Sequence, residues 1–187
     1  MTVASAFLFD LDGTLVGTWQ ANYLAYRDAF AEFGHTLSPE DWRTTWGEDS
    51  RRFVPRLLPH ASPSEVIAIR ESKAVRYEDH LDSITLNEPL ANFLRYVAPD
   101  HKTALVTTAK RLNATQALSV HALEPLFDVL VFGDDLARSK PDPECYLLAL
   151  DQLGVRASEA IAFEDTATGM ASALAAGIQV VKVATFE

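Results

Sequence analysis

Short apolar segments alternate with helix-like segments over most of this sequence, and this alternation constrains the fold more than any other feature. The apolar segments have the length and composition of buried strands, and they lie at residues 6–9, 103–107, 129–132, 160–163 and 178–183. A helical pattern precedes each of the later ones, at residues 89–97, 111–123, 143–153 and 169–176. Parallel strands need such crossover helices. We therefore expect an α/β fold with a doubly wound, parallel, five-stranded sheet.

The long segment between the first and second strands differs from the rest, because residues 18–82 carry helix signals only. Ser38-Pro39 and Ser62-Pro63 are helix starts, each with a serine at the N-cap and a proline at the first helical position. The sequence therefore predicts an inserted helical domain. We place it at residues 17–85, with an α/β core domain formed by residues 1–16 and 86–187.

The first apolar segment ends in two carboxylates, Asp10 and Asp12. Side chains alternate along a strand, so both can reach one site before the chain turns. Adjacent acids repel each other, and a cation or a shared proton usually relieves the repulsion. Gly13 allows a sharp turn close to a ligand, and Thr14 adds a hydroxyl. A polar turn is the alternative for the aspartate pair alone, whereas a calcium loop is excluded because Ala21 stands where its glutamate belongs.

Polar residues also follow three of the later strands, and in chain order they are Thr107-Thr108, Lys140 and Glu164-Asp165. Each group alone has an ordinary structural explanation, such as a helix cap or a solvated lysine. In a doubly wound sheet, however, ligands bind beyond the carboxyl ends of the strands. Four polar groups at four strand ends therefore indicate a common site.

The composition limits the partners of the protein. A formal net charge of -10 argues against nucleic acid or an anionic membrane, since both require a basic face. The N-terminus lacks the basic region of a signal peptide, and no apolar segment has the length of a membrane span, so we expect a cytoplasmic protein. The single cysteine, Cys145, excludes an internal disulfide and a cysteine-rich zinc site.

The four groups at the strand ends, in this order, resemble the four motifs of the haloacid dehalogenase superfamily, and the resemblance covers nearly the whole chain. It is closest to the branch with a helical cap inserted after the first strand, which includes β-phosphoglucomutase-like proteins and small sugar phosphatases. The resemblance implies a Rossmann-like core and phosphatase chemistry. It also makes the inserted helical domain a cap domain.

The resemblance implies a catalytic role for four residues. Asp10 is similar to the nucleophile that takes the phosphoryl group as an aspartyl phosphate. Asp12 is similar to the general acid that protonates the leaving oxygen and later acts as the base that activates water. Thr107 and Lys140 resemble the hydroxyl and the ammonium that bind the phosphoryl group.

The resemblance also implies a Mg²⁺ cofactor. The expected ligands are carboxylates together with the backbone carbonyl at the second aspartate, and the residues are Asp10, Asp12, Glu164 and Asp165. A hard divalent cation held by carboxylates, water and a substrate oxygen is the usual form of a Mg²⁺ site. Thr14 and Thr108 are further candidates for substrate binding.

The segment from Trp46 to Arg52 resembles the substrate-specificity loop of the cap. We expect Trp46, Gly47 and Arg52 to contact the substrate, with Arg52 on a sugar phosphate or its hydroxyls and Trp46 as a stacking surface. The alternative gives Arg52 a solvated position on a helix and Trp46 a place in the core of the cap.

The sequence thus predicts a Mg²⁺-dependent phosphatase of a small phosphorylated metabolite, most simply a sugar phosphate, that acts through an aspartyl phosphate. Two alternatives stay open: a sugar phosphomutase of the β-phosphoglucomutase type, and a non-catalytic protein that binds phosphate or a partner. Trp46 and Asn22 count against the mutase, since those enzymes have a lysine and a histidine there. We expect a monomer or a weak homodimer.

Overall fold

The computed structural model describes residues 4–45, 48–184 and 186. The chain divides into two compact units. The described residues of 1–18 and 85–187 form an α/β unit, and those of 19–84 form a helical unit.

The secondary structure follows the predicted alternation. Among the described residues the strands are β1 (Ala6–Phe9), β2 (Val16–Gly17), β3 (Thr85–Leu86), β4 (Lys102–Val106), β5 (Val129–Val131), β6 (Ala160–Glu164) and β7 (Gln179–Lys182). The α-helices are α1 (Trp19–Glu32), α2 (Pro39–Arg43), α3 (Ser50–Leu57), α4 (Pro63–Arg76), α5 (Glu88–Val97), α6 (Arg111–Val120), α7 (Glu144–Leu153) and α8 (Ala167–Ala175).

The α/β unit is built on a parallel sheet with the strand order β5-β4-β1-β6-β7. The central strand β1 pairs with β4 on one side and β6 on the other, so that Phe9 lies opposite Leu105 and Phe163. The chain fills one side of β1 first and then crosses to the other, so the strand order reverses between β1 and β6. The predicted doubly wound, five-stranded α/β fold is confirmed, and the reversal marks the place where such sheets bind ligands.

Both faces of β1 are covered, and all four of its residues are buried. On one face, Leu8 belongs to an apolar cluster that also contains Tyr146 of α7. On the other face, the rings of Phe9 and Phe163 stack with centroids 4.9 Å apart, and Phe93 of α5 lies against Phe163 at 5.4 Å. This two-sided packing fixes the end of the strand that leads into Asp10.

A two-stranded ribbon in the α/β unit was not predicted. The strands β2 and β3 pair antiparallel, with Val16 opposite Leu86. Asn87 extends this connection, since its backbone amide donates to the Leu15 carbonyl at 3.0 Å and its side-chain amide donates to the Thr14 carbonyl at 2.9 Å. Two residues per strand are too few for an alternation pattern, which is why the sequence did not indicate these strands.

The helical unit has its own apolar core, which contains Trp42 and Phe53. The predicted caps are present, because the Ser38 and Ser62 hydroxyls accept amide hydrogen bonds at 3.0 and 3.2 Å. The helix that starts after Ser62 ends at Arg76, and a 3-10 helix follows, as is common at helix C-termini. No described helix combines the length and the apolar character that a membrane crossing requires.

Candidate active site

The loop after β1 carries the two aspartates. The Asp10 amide donates to the Phe163 carbonyl at 3.1 Å and so extends the pairing of β1 with β6. Gly13 then adopts a φ of 79°, and its amide donates to the Val16 carbonyl at 2.8 Å. Because glycine tolerates this left-handed conformation, the chain turns immediately after the aspartates. Asp10 is thereby held at the carboxyl end of the central strand.

Lys140 reaches the same strand ends from the loop between β5 and α7. Its ammonium donates to Asp10 Oδ1 at 2.7 Å, to Glu164 Oε1 at 2.6 Å and to the Val106 carbonyl at 3.0 Å. An ammonium has three N–H donors, so these contacts engage all of them. Burial alone would lower the pKa of Lys140, but the charges of Asp10 and Glu164 contribute to raising it well above its usual value. Lys140 is therefore a fixed positive charge.

Hydrogen bonds to Asp142 hold the loop that carries Lys140 in place after this residue. Asp142 Oδ1 accepts the amide of Glu144 at 3.0 Å, and the Asp142 carbonyl accepts the Ser172 hydroxyl of α8 at 2.6 Å. The Asp142 side chain thereby binds the start of the next helix, and α7 begins at Glu144, one residue later than the predicted start at residue 143. The bond between Lys140 and Pro141 is cis.

Glu164 ends β6 and is fully buried, at 0% exposure. Its Oε1 accepts two hydrogen bonds, from the Lys140 ammonium and from the Tyr146 hydroxyl at 2.7 Å. Burial raises the pKa of Glu164, and the Asp10 charge raises it further, whereas Lys140 opposes both. A Cβ at Gly169 would overlap the Glu164 carboxylate. The absence of a side chain there provides the space that this carboxylate occupies.

Asp165 follows Glu164 and completes the acidic group. Its Oδ1 accepts the Thr14 hydroxyl at 3.0 Å, in a contact between two buried side chains. Burial raises the pKa of Asp165 to about 6, and the negative charge of Asp10 adds to the effect. Thr14 therefore helps to hold Asp165, while its predicted contact with substrate stays a prediction.

The acidic group fits a divalent cation. Asp10, Glu164 and Asp165 each offer an oxygen, and these oxygens lie within 4.8 Å of one another. Among the described residues, the Lys140 ammonium contacts two of these three buried carboxylates, Asp10 and Glu164, so an excess of negative charge is left in a poorly solvated place. Buried charges of this kind require compensation, and carboxylate oxygens are ligands that Mg²⁺ prefers. Asp12 was predicted to bind Mg²⁺ through its backbone carbonyl, and this stays a prediction.

Three further predicted residues lie on loops of the α/β unit. The half-buried Asp12 accepts a hydrogen bond at Oδ1 from the Thr18 hydroxyl. Thr107 follows β4 and is 1% exposed, and its hydroxyl accepts the Ala109 amide at 3.0 Å. Thr108 is exposed. Asp12 and Thr107 therefore have defined positions, and their catalytic roles stay predictions.

The residues predicted for substrate selection belong to the segment around the start of α3. Trp46 and Gly47 lie outside the described residues. Arg52 lies on α3 of the helical unit with an exposed side chain. An exposed side chain fits both a contact with substrate and a solvated position on a helix. The contact of Arg52 with substrate therefore stays a prediction.

The sequence did not indicate Tyr146 or Gly169, which both contact the space around Glu164. Tyr146 lies in an apolar helical pattern, where an aromatic residue is typical of a core position. Gly169 lies shortly after a strand, near the start of a predicted helix, and a residue at such a position carries no signal of a site. A polar hydroxyl in an otherwise apolar helix face was the one signal that could have identified Tyr146.

The chain is similar to known proteins over nearly its whole length. Protein CbbY of Rhodobacter capsulatus is 34% identical over 189 residues, which cover 94% of this chain and 83% of that protein. A phosphorylated carbohydrates phosphatase of Thermotoga maritima is 32% identical over 183 residues, covering 93% of this chain and 82% of that protein.

A solved structure is also similar. A mutant CbbY of Rhodobacter sphaeroides, in complex with xylulose-(1,5)-bisphosphate, superposes with a TM-score of 0.86 at 27% identity, covering 98% of this chain and 88% of that one. The family model described as haloacid dehalogenase-like hydrolase matches residues 7–183. The predicted resemblance is confirmed, and the chain belongs to the haloacid dehalogenase-like hydrolase family.

Proposed function

We propose that the protein is a Mg²⁺-dependent phosphatase of a small phosphorylated carbohydrate and that it acts through an aspartyl phosphate. The observation that carries the proposal is the Lys140 ammonium, which contacts Asp10 and Glu164 within a buried acidic group that includes Asp165. Phosphoryl transfer requires a positioned nucleophile and groups that neutralise spread negative charge. This group supplies a carboxylate nucleophile, a fixed cation and carboxylates for a divalent cation.

The names of relatives support the substrate class. The Thermotoga maritima relative is named as a phosphatase of phosphorylated carbohydrates, and the Rhodobacter sphaeroides relative was solved with a sugar bisphosphate. Both align with nearly all of this chain. We therefore assign a sugar phosphate ester as the substrate.

In the first step, a carboxylate oxygen of Asp10 attacks phosphorus while the bond from phosphorus to the sugar oxygen breaks. Asp12 donates its proton to that oxygen, and the dephosphorylated sugar leaves. In the second step, water attacks phosphorus and gives a proton to Asp12, and the bond from phosphorus to Asp10 breaks. Inorganic phosphate leaves, with Asp10 again a carboxylate and Asp12 again an acid.

Lys140 changes one of its hydrogen-bond partners during these steps. Because all three of its N–H groups are engaged, it binds a phosphoryl oxygen only by exchanging one of its present partners. Asp10 is the partner whose charge disappears when the aspartyl phosphate forms. We infer that Lys140 exchanges Asp10 Oδ1 for a phosphoryl oxygen at that point, while Glu164 and the Val106 carbonyl keep the ammonium in place.

The remaining residues bind cofactor and substrate. Asp10, Asp165 and the backbone carbonyl of Asp12 would hold Mg²⁺, with Glu164 beside them. When bound, Mg²⁺ would neutralise charge on the phosphoryl oxygens. Thr107 binds the phosphoryl group in this proposal.

The helical unit serves as the cap in this proposal. Its specificity segment contains Trp46, Gly47 and Arg52. Arg52 offers an exposed guanidinium, a group suited to phosphate and to sugar hydroxyls.

The test is phosphate release from a panel of sugar monophosphates and bisphosphates, nucleotides and p-nitrophenyl phosphate. We expect turnover of at least one sugar phosphate with Mg²⁺, and its loss with EDTA. Restoration by excess Mg²⁺ is the control for chelation. Conversion of a sugar phosphate into an isomer without release would instead favour the phosphomutase, and no turnover of any ester by folded protein would contradict the proposal.

A pair of glycine variants tests whether the turn after Asp12 shapes the site. Gly13 and Gly34 have nearly the same φ, 79° and 78°. A Cβ at Gly13 would lie 2.5 Å from Asp165 Oδ2, whereas one at Gly34 would meet nothing within 4 Å. Both alanine variants should lose about 1–3 kcal/mol of stability through backbone strain.

Only Gly13→Ala should also slow phosphate release, by about 100-fold, because it displaces a predicted Mg²⁺ ligand. Thermal unfolding and steady-state kinetics of both variants provide the measurement. Equal activity of the two variants would mean that Asp165 has room to move without loss of function.

A further inference from the structure

Tyr146 is a fully buried tyrosine whose hydroxyl points into the charged group. It lies on α7 with 0% exposure, and its ring packs in the apolar cluster beneath the sheet. Its hydroxyl donates to Glu164 Oε1 at 2.7 Å. A phenylalanine would satisfy the packing equally well. The hydroxyl therefore serves the carboxylate, not the core.

The oxygen that Tyr146 contacts is the same one that holds Lys140. Glu164 Oε1 accepts the ammonium at 2.6 Å and the phenol at 2.7 Å. A carboxylate oxygen that accepts two donors has a fixed orientation, since rotation would break both hydrogen bonds. The ammonium also lies 5.3 Å from the centroid of the Tyr146 ring, so the same side chain bounds the position of Lys140 from a second direction.

The rest of the carboxylate is confined as well. A Cβ at Gly169 would lie 2.0 Å from Oε2 and 2.3 Å from Oε1, so the carboxylate occupies the space that the missing side chain leaves. The Thr166 hydroxyl approaches Oε2 only at 3.5 Å, which is a weak contact. The two short hydrogen bonds at Oε1 therefore determine which way Glu164 faces.

We propose that Tyr146 is a positioning residue that orients Glu164 so that this carboxylate holds the Lys140 ammonium against Asp10. The proposal rests on the proposed function for its kinetic consequence only. In this proposal the main role of Glu164 is to hold the Lys140 ammonium. Without the Tyr146 hydroxyl, Glu164 loses one of its two strong hydrogen-bond donors, and its carboxylate no longer holds the ammonium in a fixed position. Phosphate binding and transfer should suffer, while the Mg²⁺ requirement should not change.

The test compares Tyr146→Phe with Tyr96→Phe, because Tyr96 is 80% exposed and provides a matched loss of a hydroxyl. For Tyr146→Phe we expect kcat to fall about tenfold, the scale of a lost hydrogen bond to a charged group. Inhibition by inorganic phosphate should weaken by a similar factor, and the Mg²⁺ concentration for half-maximal activity should stay within twofold. Tyr96→Phe should match the unchanged protein in all three.

A second readout does not depend on turnover. Lys140 is one of five lysines in the sequence, so the ¹⁵N resonance of its side-chain ammonium can be assigned by its loss in Lys140→Met. A buried ammonium with three acceptors exchanges slowly with water and gives an observable signal. We expect this signal to shift or broaden in Tyr146→Phe and to stay unchanged in Tyr96→Phe.

The two readouts separate this proposal from the proposed function. A perturbed ammonium signal in a protein that hydrolyses no ester would support the positioning role and reject the phosphatase. An unchanged signal in Tyr146→Phe would overturn the positioning role, whatever the kinetics. A rise in the Mg²⁺ requirement with an unchanged phosphate inhibition would also overturn it, since Glu164 would then act on the metal side.

Discussion

Asp10→Asn should abolish phosphate release, with a loss of at least about a thousandfold, because an amide does not form the aspartyl phosphate. The substitution keeps the size of the side chain and leaves Oδ1 able to accept the Lys140 hydrogen bond, which is 2.7 Å long in the structure. The fold should therefore survive. The measurement is release of phosphate with Mg²⁺ from the best substrate of the panel, together with the thermal midpoint of unfolding.

The matched control is Asp151→Asn, which changes an exposed aspartate at the far end of α7. We expect it to retain full activity. A trapping experiment extends the test: rapid acid quenching of the unchanged protein with labelled substrate should leave label on the protein, and Asp10→Asn should carry none. Label that persists in Asp10→Asn would assign the nucleophile to another residue.

Lys140→Met should cause the largest loss of stability, because it leaves Glu164 as a buried charge without its cation. The Lys140 and Glu164 side chains are 7% and 1% exposed. Removal of one partner of such a pair costs about 3–5 kcal/mol. For a chain of this size that corresponds to a fall of roughly 6–20 °C in the thermal midpoint. Activity should fall by at least about 100-fold as the phosphoryl group loses its cation.

The double variant Lys140→Met with Glu164→Gln separates the two effects. It removes one of the two carboxylate charges that lose their cation, the other being Asp10, so part of the lost stability should return, while activity should stay low. Lys182→Met, which removes an exposed lysine on β7, is the control and should change neither quantity. No recovery of stability in the double variant would mean that the ion pair was not the source of the loss.

Much of the fold could be predicted because its signals are local. Buried parallel strands appear as short apolar runs, and the helices between them carry caps such as Ser38 and Ser62. The rule that ligands bind at strand ends then related distant residues: Asp10, Lys140 and the pair Glu164-Asp165 are far apart in sequence, and the structure places them in one group. Their presence at strand ends was enough, because parallel strands end at one edge.

The choice of hydrogen-bond partner could not be predicted in the same way. The Thr14 hydroxyl donates to Asp165, which is 151 residues away in sequence, and nothing in the residue pattern pointed to this partner. Tyr146 and Gly169 matter through Glu164, and only the packing of α7 and α8 on the sheet decides this. Such contacts depend on distances of a few tenths of an ångström between elements, and a residue pattern does not contain them.

The ribbon of β2 and β3 has a consequence for how this architecture changes over time. The chain leaves the α/β unit and returns to it at paired positions, with Val16 opposite Leu86 and Gly17 opposite Thr85. The strands at which the chain leaves and re-enters the α/β unit are therefore paired like those of a hairpin, whatever the length of the chain between them. Insertions and deletions within residues 19–84 leave the register of the five-stranded sheet untouched. The helical unit is thus an exchangeable module, and under the proposed function selectivity can evolve in it separately from the chemistry at Asp10.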